Sequence, residues 1–293
     1  MSKPRLATVV LGGCTGCHLS LLDAHEGLLE LLGDVELVYS PLIDVADFPA
    51  CDVAVVEGAV STAHDEEVLR VVRAKAATLV AVGSCATLGG IGGLRNLHTA
   101  REVAGYVYGV TPETEVPALQ RRVRPLSDIV EVDVSVPGCA PPTETLVAAV
   151  SAAVTGAPFE LPRRNLCDEC SRVHDTLLEH SKDFVSDGVY ALMELETIDP
   201  ERCFLEQGVI CMGPMTREGC GSRCTEANVP CRGCMGPSRL DFEQGGKMVD
   251  VLAAILPAGA IMYMDDLIGT GYRFSMPVSI FPAVYDHEGD DDA

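Results

Sequence analysis

No stretch of the chain is apolar for the roughly 18–20 residues that a membrane-spanning helix needs. The longest runs, such as Met248–Met262, are broken by Asp, Pro or Gly. Basic residues are scarce too: 21 Lys and Arg stand against 43 Asp and Glu, a net charge of −22 over 293 residues. A nucleic-acid binder needs a basic face. The one concentrated basic group, Arg121, Arg122 and Arg124 beside Pro125, reads as a solvated loop. Neither a membrane nor nucleic acid is expected as a partner.

Nucleotide loops are also missing. G-x-x-x-x-G-K-[ST] does not occur, and the glycine run Gly89–Gly93 lacks G-x-G-x-x-G spacing between a strand and a helix. That run reads as a flexible loop beside Cys85, and neither NAD nor ATP is expected on this chain. No twin-arginine pair or cleavable apolar leader is visible, so a cytoplasmic location is expected. The acidic run Asp290–Asp292 reads as a disordered, solubilising tail.

What the chain has is cysteine, 13 in all. Without an export signal, metal binding is the stronger reading and a disulfide framework the weaker one.

The first part alternates in α/β fashion. Leu6–Leu11, Val35–Tyr39, Val53–Glu57, Thr78–Val82 and Val130–Val136 are short apolar, β-branched runs. Helix-like stretches, Cys17–Leu32, Asp65–Ala76 and Thr143–Val154, lie among and after them. Strands apolar at nearly every position suit a parallel sheet covered on both faces. The expected fold class is α/β, a flavodoxin-like doubly wound parallel sheet over residues 1–162. From there the texture changes: residues 163–293 hold eight cysteines, and helix-like pieces occur only near Arg172–His180, Asp187–Leu195 and Lys247–Ile255. Bound metal would supply the order that periodic apolar faces do not.

Four cysteines share one feature. Cys14 and Cys17 follow the first strand, Cys85 follows the Thr78–Val82 strand, and Cys139 follows the Val130–Val136 strand. Loops at the carboxyl ends of parallel strands gather at one edge, where ligands bind. Each of these loops carries glycine, which lets backbone N–H groups approach a cluster's sulfides. Glu57-Gly58 ends a fourth strand at that edge; the acid could relay protons or accept a backbone bond. Zinc also takes four thiolates, usually from two close knuckles; ligands spread over three distant glycine loops suit a larger cluster better.

The other eight are Cys167, Cys170, Cys203, Cys211, Cys220, Cys224, Cys231 and Cys234. They divide into two sets of four, but spacing does not assign them, and the bacterial ferredoxin pattern C-x2-C-x2-C-x3-C-P is absent. Cys51, before Val53–Val56, reads as a core or loop thiol.

Three motifs carry a resemblance: Gly13-Cys14-Thr15-Gly16-Cys17-His18-Leu19-Ser20-Leu21-Leu22, Gly83-Ser84-Cys85-Ala86, and Val136-Pro137-Gly138-Cys139-Ala140-Pro141-Pro142. With Cys167-Asp168-Glu169-Cys170 and the dense stretch Cys203–Pro237, they resemble the small subunit of NiFe hydrogenases. The type is the methyl-viologen-reducing, coenzyme F(420)-non-reducing hydrogenase gamma subunit.

The resemblance implies an electron-transfer subunit with three 4Fe-4S clusters. It gives Cys14, Cys17, Cys85 and Cys139 to a proximal cluster. Cys220, Cys224, Cys231 and Cys234 would hold a medial cluster, and Cys167, Cys170, Cys203 and Cys211 a distal one. Cys167 stands where exported relatives usually carry His, and Cys224 completes a set that often has proline. His18 stands where many relatives carry Glu; on the first helix it reads as a packing or interface residue.

The implied partners are a large subunit holding the nickel–iron centre and a small iron–sulfur acceptor feeding heterodisulfide reductase. NAD-linked and sulfur-reducing hydrogenases are the near alternatives. A complex I-like quinone-reducing subunit would show adjacent cysteines and no eight-cysteine extension. A zinc-stabilised scaffold without redox activity is the rival of another class.

Overall fold

The computed structural model describes residues 2–43, 45–109, 117–173, 189–238, 243–256 and 264–281. The chain divides into two compact units: Met1–Leu161 with the C-terminal segment from Phe274, and Pro162–Arg273.

The first unit is built on a five-stranded sheet. Its strands are β1 (Arg5–Val10), β2 (Glu36–Tyr39), β3 (Cys51–Glu57), β5 (Ala76–Val82) and β7 (Val134–Val136), in the order β2-β1-β3-β5-β7. Every pairing in it is parallel. That is the doubly wound order expected of a flavodoxin-like sheet.

The uninterrupted apolar character of the strands has a direct cause. Ala7, Val9, Ala54, Val56, Leu79 and Ala81 face one core with Leu69 and Val72 of α3 (Ala63–Lys75). The alternate residues Leu6, Val53, Val55, Val80 and Val82 face another, with Leu146, Ala149 and Val150 of α6 (Thr143–Thr155). With both faces covered, period-two alternation of polarity disappears.

Helix α3 begins where its sequence says it should. The Thr62 hydroxyl accepts from the Asp65 N–H, and the Asp65 carboxylate accepts from the Thr62 N–H. Arg73 and Lys75 close the last turn against the helix dipole.

Several expectations are corrected. The Cys17–Leu32 stretch is two helices, α1 (Gly16–Leu22) and α2 (Glu26–Asp34), separated at His25 with φ of 49°. The last strand is only Val134–Val136, because Asp133 turns its carboxylate to accept the Leu79 N–H at 2.7 Å. Arg121, Arg122 and Arg124 lie on β6 (Leu119–Arg124), which pairs antiparallel with β4 (Val60–Thr62), and are not in a loop. Arg124 pairs with Glu66 at 2.6 Å.

The glycine run leads into a 3-10 helix, Ile91–Leu97, in place of a loop. Helices α4 (Gly83–Leu88) and α5 (Ala100–Tyr108) were not foreseen, although Thr99 and Glu102 spell a capping box for α5. The segment from Phe274 groups with the first unit, where a Cβ at Gly89 or Gly93 would come within 2.2 or 2.3 Å of the Pro277 ring.

The second unit is loop-rich. Its helices are α7 (Arg223–Glu226), α8 (Gln244–Ile255) and α9 (Leu267–Gly271). α8 matches the helix expected near Lys247–Ile255. Near Asp187–Leu195 the described residues form only the single turn Leu192–Glu194. Most of the stretch Arg172–His180 and the tail Asp290–Asp292 lie outside the described residues. Phe204, Leu205, Val209, Met212, Met215, Met248 and Leu252 make the core, and Cys211 and Cys231 are buried within it.

Candidate metal centres

The register of the central sheet sets up the first site. Val10 pairs with Glu57, Glu57 with Val82, and Val82 with Val136, so four parallel strands end on one row. Cys14 lies in the loop after β1, Cys17 on the first turn of α1, Cys85 on α4, and Cys139 in the loop after β7. Ser84 N–H donates to Gly138 O at 2.9 Å, and Gly138 N–H donates to Ser84 Oγ at 3.1 Å, tying the last two loops together.

The thiols are close enough to act on one another. Burial pushes the Cys17 thiol far above its ordinary range, and Glu57, Cys85, Cys139 and Cys14 push it the same way. Burial raises Cys85 as well, helped by Cys14 and Glu57. Such thiols resist ionisation until a positive centre binds, and coordination then deprotonates them outright. Gly83 sits at φ of 85°, where a Cβ would lie 2.3 Å from Cys17 Sγ. Only glycine leaves that sulfur its space.

Glu57 is buried, 2% exposed, and its Oε2 accepts the His18 backbone N–H at 2.7 Å. The same oxygen lies 2.7 Å from His18 Nδ1. This pairing was not legible in the sequence, where the two residues stand far apart.

In the second unit Cys167, Cys170, Cys203 and Cys211 ring one recess of about 470 Å³, open on one side, with Phe204, Leu205, Pro214 and Arg172 in its wall. Burial raises Cys167 above its ordinary range, with Cys211, Cys203 and Cys170 adding to it, and holds Cys211 at about 11. Burial also raises Cys220 to about 11, with Glu169 and Cys234 adding to it. Cys231 is raised by burial and then by Cys211 and Cys234. Thus Cys220, Cys231 and Cys234 form a second neighbourhood, while Cys224 is exposed on α7.

The two neighbourhoods touch: Cys231 N–H donates to Cys211 Sγ at 3.3 Å. Cys51 is buried at the start of β3 within the sheet core, apart from all of these.

The donor sets fit polynuclear iron–sulfur clusters. A tetrahedral zinc ion at its usual bond length would draw four sulfurs to roughly 3.8 Å of one another. Among the described residues, no three His, Cys, Asp or Glu side chains converge as a single ion requires. The thiols instead surround larger spaces, with backbone N–H groups aimed at sulfur, as from Gly233 to Cys231 Sγ at 3.4 Å.

Comparison with known proteins agrees with this geometry. Residues 14–153 match the family model described as NADH ubiquinone oxidoreductase, 20 Kd subunit. The chain is 38% identical over 288 residues to the vhu-type F420-non-reducing hydrogenase small chain of Methanococcus voltae, covering 95% of this chain and 97% of that one. A crystal structure of a reduced, active nickel–iron–selenium hydrogenase from Desulfomicrobium baculatum is similar with a TM-score of 0.51 and 25% identity. That match covers 83% of this chain and 97% of the other. An NAD+-reducing [NiFe]-hydrogenase in its H2-reduced state reaches a TM-score of 0.51 and 36% identity, covering 55% of this chain and 96% of that one.

Proposed function

The chain belongs to the family of F420-non-reducing hydrogenase G subunits, and from that premise we propose that it is the electron-relay subunit of a nickel–iron hydrogenase. In this reading Cys14, Cys17, Cys85 and Cys139 hold the cluster next to a large subunit that carries the nickel–iron centre. Cys220, Cys224, Cys231 and Cys234 hold the middle one. Cys167, Cys170, Cys203 and Cys211 hold the outermost, from which an iron–sulfur acceptor linked to heterodisulfide reductase draws electrons. When bound, such clusters take up and release single electrons.

The protein's own part is positional. Thiolates from three strand-end loops fix the first site, backbone N–H groups donate to sulfur, and burial keeps water away. The observation that carries the proposal is the row Val10–Glu57–Val82–Val136, which brings four cysteine-bearing segments to one sheet edge. Cys14 and Cys139 are exposed at that edge, as an interface with a second subunit requires.

Iron and acid-labile sulfide analysis of the anaerobically purified protein tests it. About twelve irons with matching sulfide, and a co-purifying nickel-containing subunit, are expected. Zinc without sulfide would overturn the proposal in favour of a scaffold role.

A further inference from the structure

The Cys167–Cys170 loop carries two charged side chains that face different thiol sets. Arg172 is 4% exposed and forms part of the wall around Cys167, Cys170, Cys203 and Cys211. Its Nη1 donates to Asp199 O at 2.9 Å and to Arg202 O at 2.8 Å, and its Nε to Thr225 O at 3.3 Å. The guanidinium lies 3.8 Å over the Phe204 ring. These bonds hold the cation in one place beneath the recess.

Glu169, three residues earlier, turns the other way. Both of its carboxylate oxygens accept from Gly219 N–H at 3.0 Å, and Oε1 also accepts from Cys220 N–H at 3.1 Å and Ser222 N–H at 3.3 Å. Oε1 stands 3.6 Å from Cys220 Sγ. A carboxylate is thus clamped against the first cysteine of the other set.

We propose that this loop sets the two clusters of the second unit at different reduction potentials. Arg172 raises the one held by Cys167, Cys170, Cys203 and Cys211, and Glu169 lowers the one that includes Cys220. The inference rests on the proposed function, because it needs both clusters. Reduction adds one electron, supplied by the hydrogenase reaction, to a ligand shell that is already anionic. A fixed cation nearby favours that added charge and a fixed anion opposes it, and burial weakens the solvent screening of both. Electrons arriving at the Cys220 set would then pass downhill to the Cys167 set, which gives the wire a direction.

Redox titration followed by electron paramagnetic resonance on the purified hydrogenase complex tests this, with iron and sulfide measured on every sample. Glu169→Gln keeps an oxygen that accepts the N–H bonds but removes the charge. It should raise the midpoint of one cluster by about 59 mV, a tenfold change in reduced-to-oxidised ratio at fixed potential. Arg172→Gln should lower the midpoint of a different cluster by a similar amount, and Arg172→Lys should restore most of it. Should Arg172→Gln fail to assemble, the rise in Glu169→Gln alone decides.

Intact clusters with unmoved midpoints overturn the proposal. So do shifts in the same direction, shifts confined to one cluster, or loss of iron from Glu169→Gln. A wild-type complex without iron and sulfide would instead overturn the functional reading beneath it.

Discussion

Glu57 at the carboxyl end of β3 anchors His18, accepting its backbone N–H and meeting its ring Nδ1 with the same oxygen, each at 2.7 Å. The contact ties the first turn of α1, which carries Cys17, to the central strand of the sheet. Both residues are largely buried, with side-chain exposures of 12% and 2%. Glu57→Ala would leave the His18 N–H without its acceptor, at a cost of about 2 kcal/mol. His18→Ala keeps the backbone bond and should cost less. Chemical denaturation of the two variants checks the order; equal losses would mean the backbone bond contributes nothing of its own.

Cys85→Ala should remove one cluster, about four irons, and abolish hydrogen-dependent dye reduction. Cys51→Ala should keep both the iron and the activity, because Cys51 packs in the sheet core and faces no other thiol. Iron analysis and a dye assay on the two variants separate a ligand from a core residue. Equal loss in both would refute the ligand set.

Gly83→Ala alters no ligand, yet it should empty the first site. Its φ of 85° and the 2.3 Å approach of a new Cβ to Cys17 Sγ force either the backbone or the sulfur to move. The expected result is iron content close to that of Cys85→Ala. Full iron content in Gly83→Ala would show that the loop relaxes around the added methyl group.

Glu66 joins the two sheets of the first unit. It bonds Arg70 and Arg124, each at 2.6 Å, and Gln120 at 2.7 Å. Those bonds, Gln120 first, lower its pKa from 4.5 to about 2. A folded-state pKa below the unfolded one adds stability that is complete above the unfolded value and fades as pH falls toward 2. Glu66→Ala should therefore unfold more readily than wild type at neutral pH. The gap should be modest, because the group is partly exposed, and should narrow below about pH 4.5. A gap constant with pH would place the effect elsewhere than in the charge.

Much of the first unit was legible because its signals are local. Apolar runs at every position mark strands buried on both faces, and Thr62 with Asp65 marks a helix start. The break at His25 and the shortening of the last strand were not legible. The first turns on a single backbone angle, and the second on an aspartate that takes a ladder donor from Leu79. In the second unit little is periodic. The bonds that order it, such as those from Arg172 to Asp199, Arg202 and Thr225, join residues far apart in the chain.

The sequence by itself determined the chemistry: thirteen thiols, twelve of them in glycine- or proline-bearing motifs, and a parallel α/β frame to carry the first four. The tertiary structure decided what those thiols meet. Parallel register aligned Val10, Glu57, Val82 and Val136 and so brought the first set to one edge. Burial then placed Arg172 under one of the remaining groups while hydrogen bonds fixed Glu169 against another. Spacing along a chain constrains only neighbours, whereas the potential at a metal centre depends on every charge within a few ångströms, from whatever part of the sequence it comes.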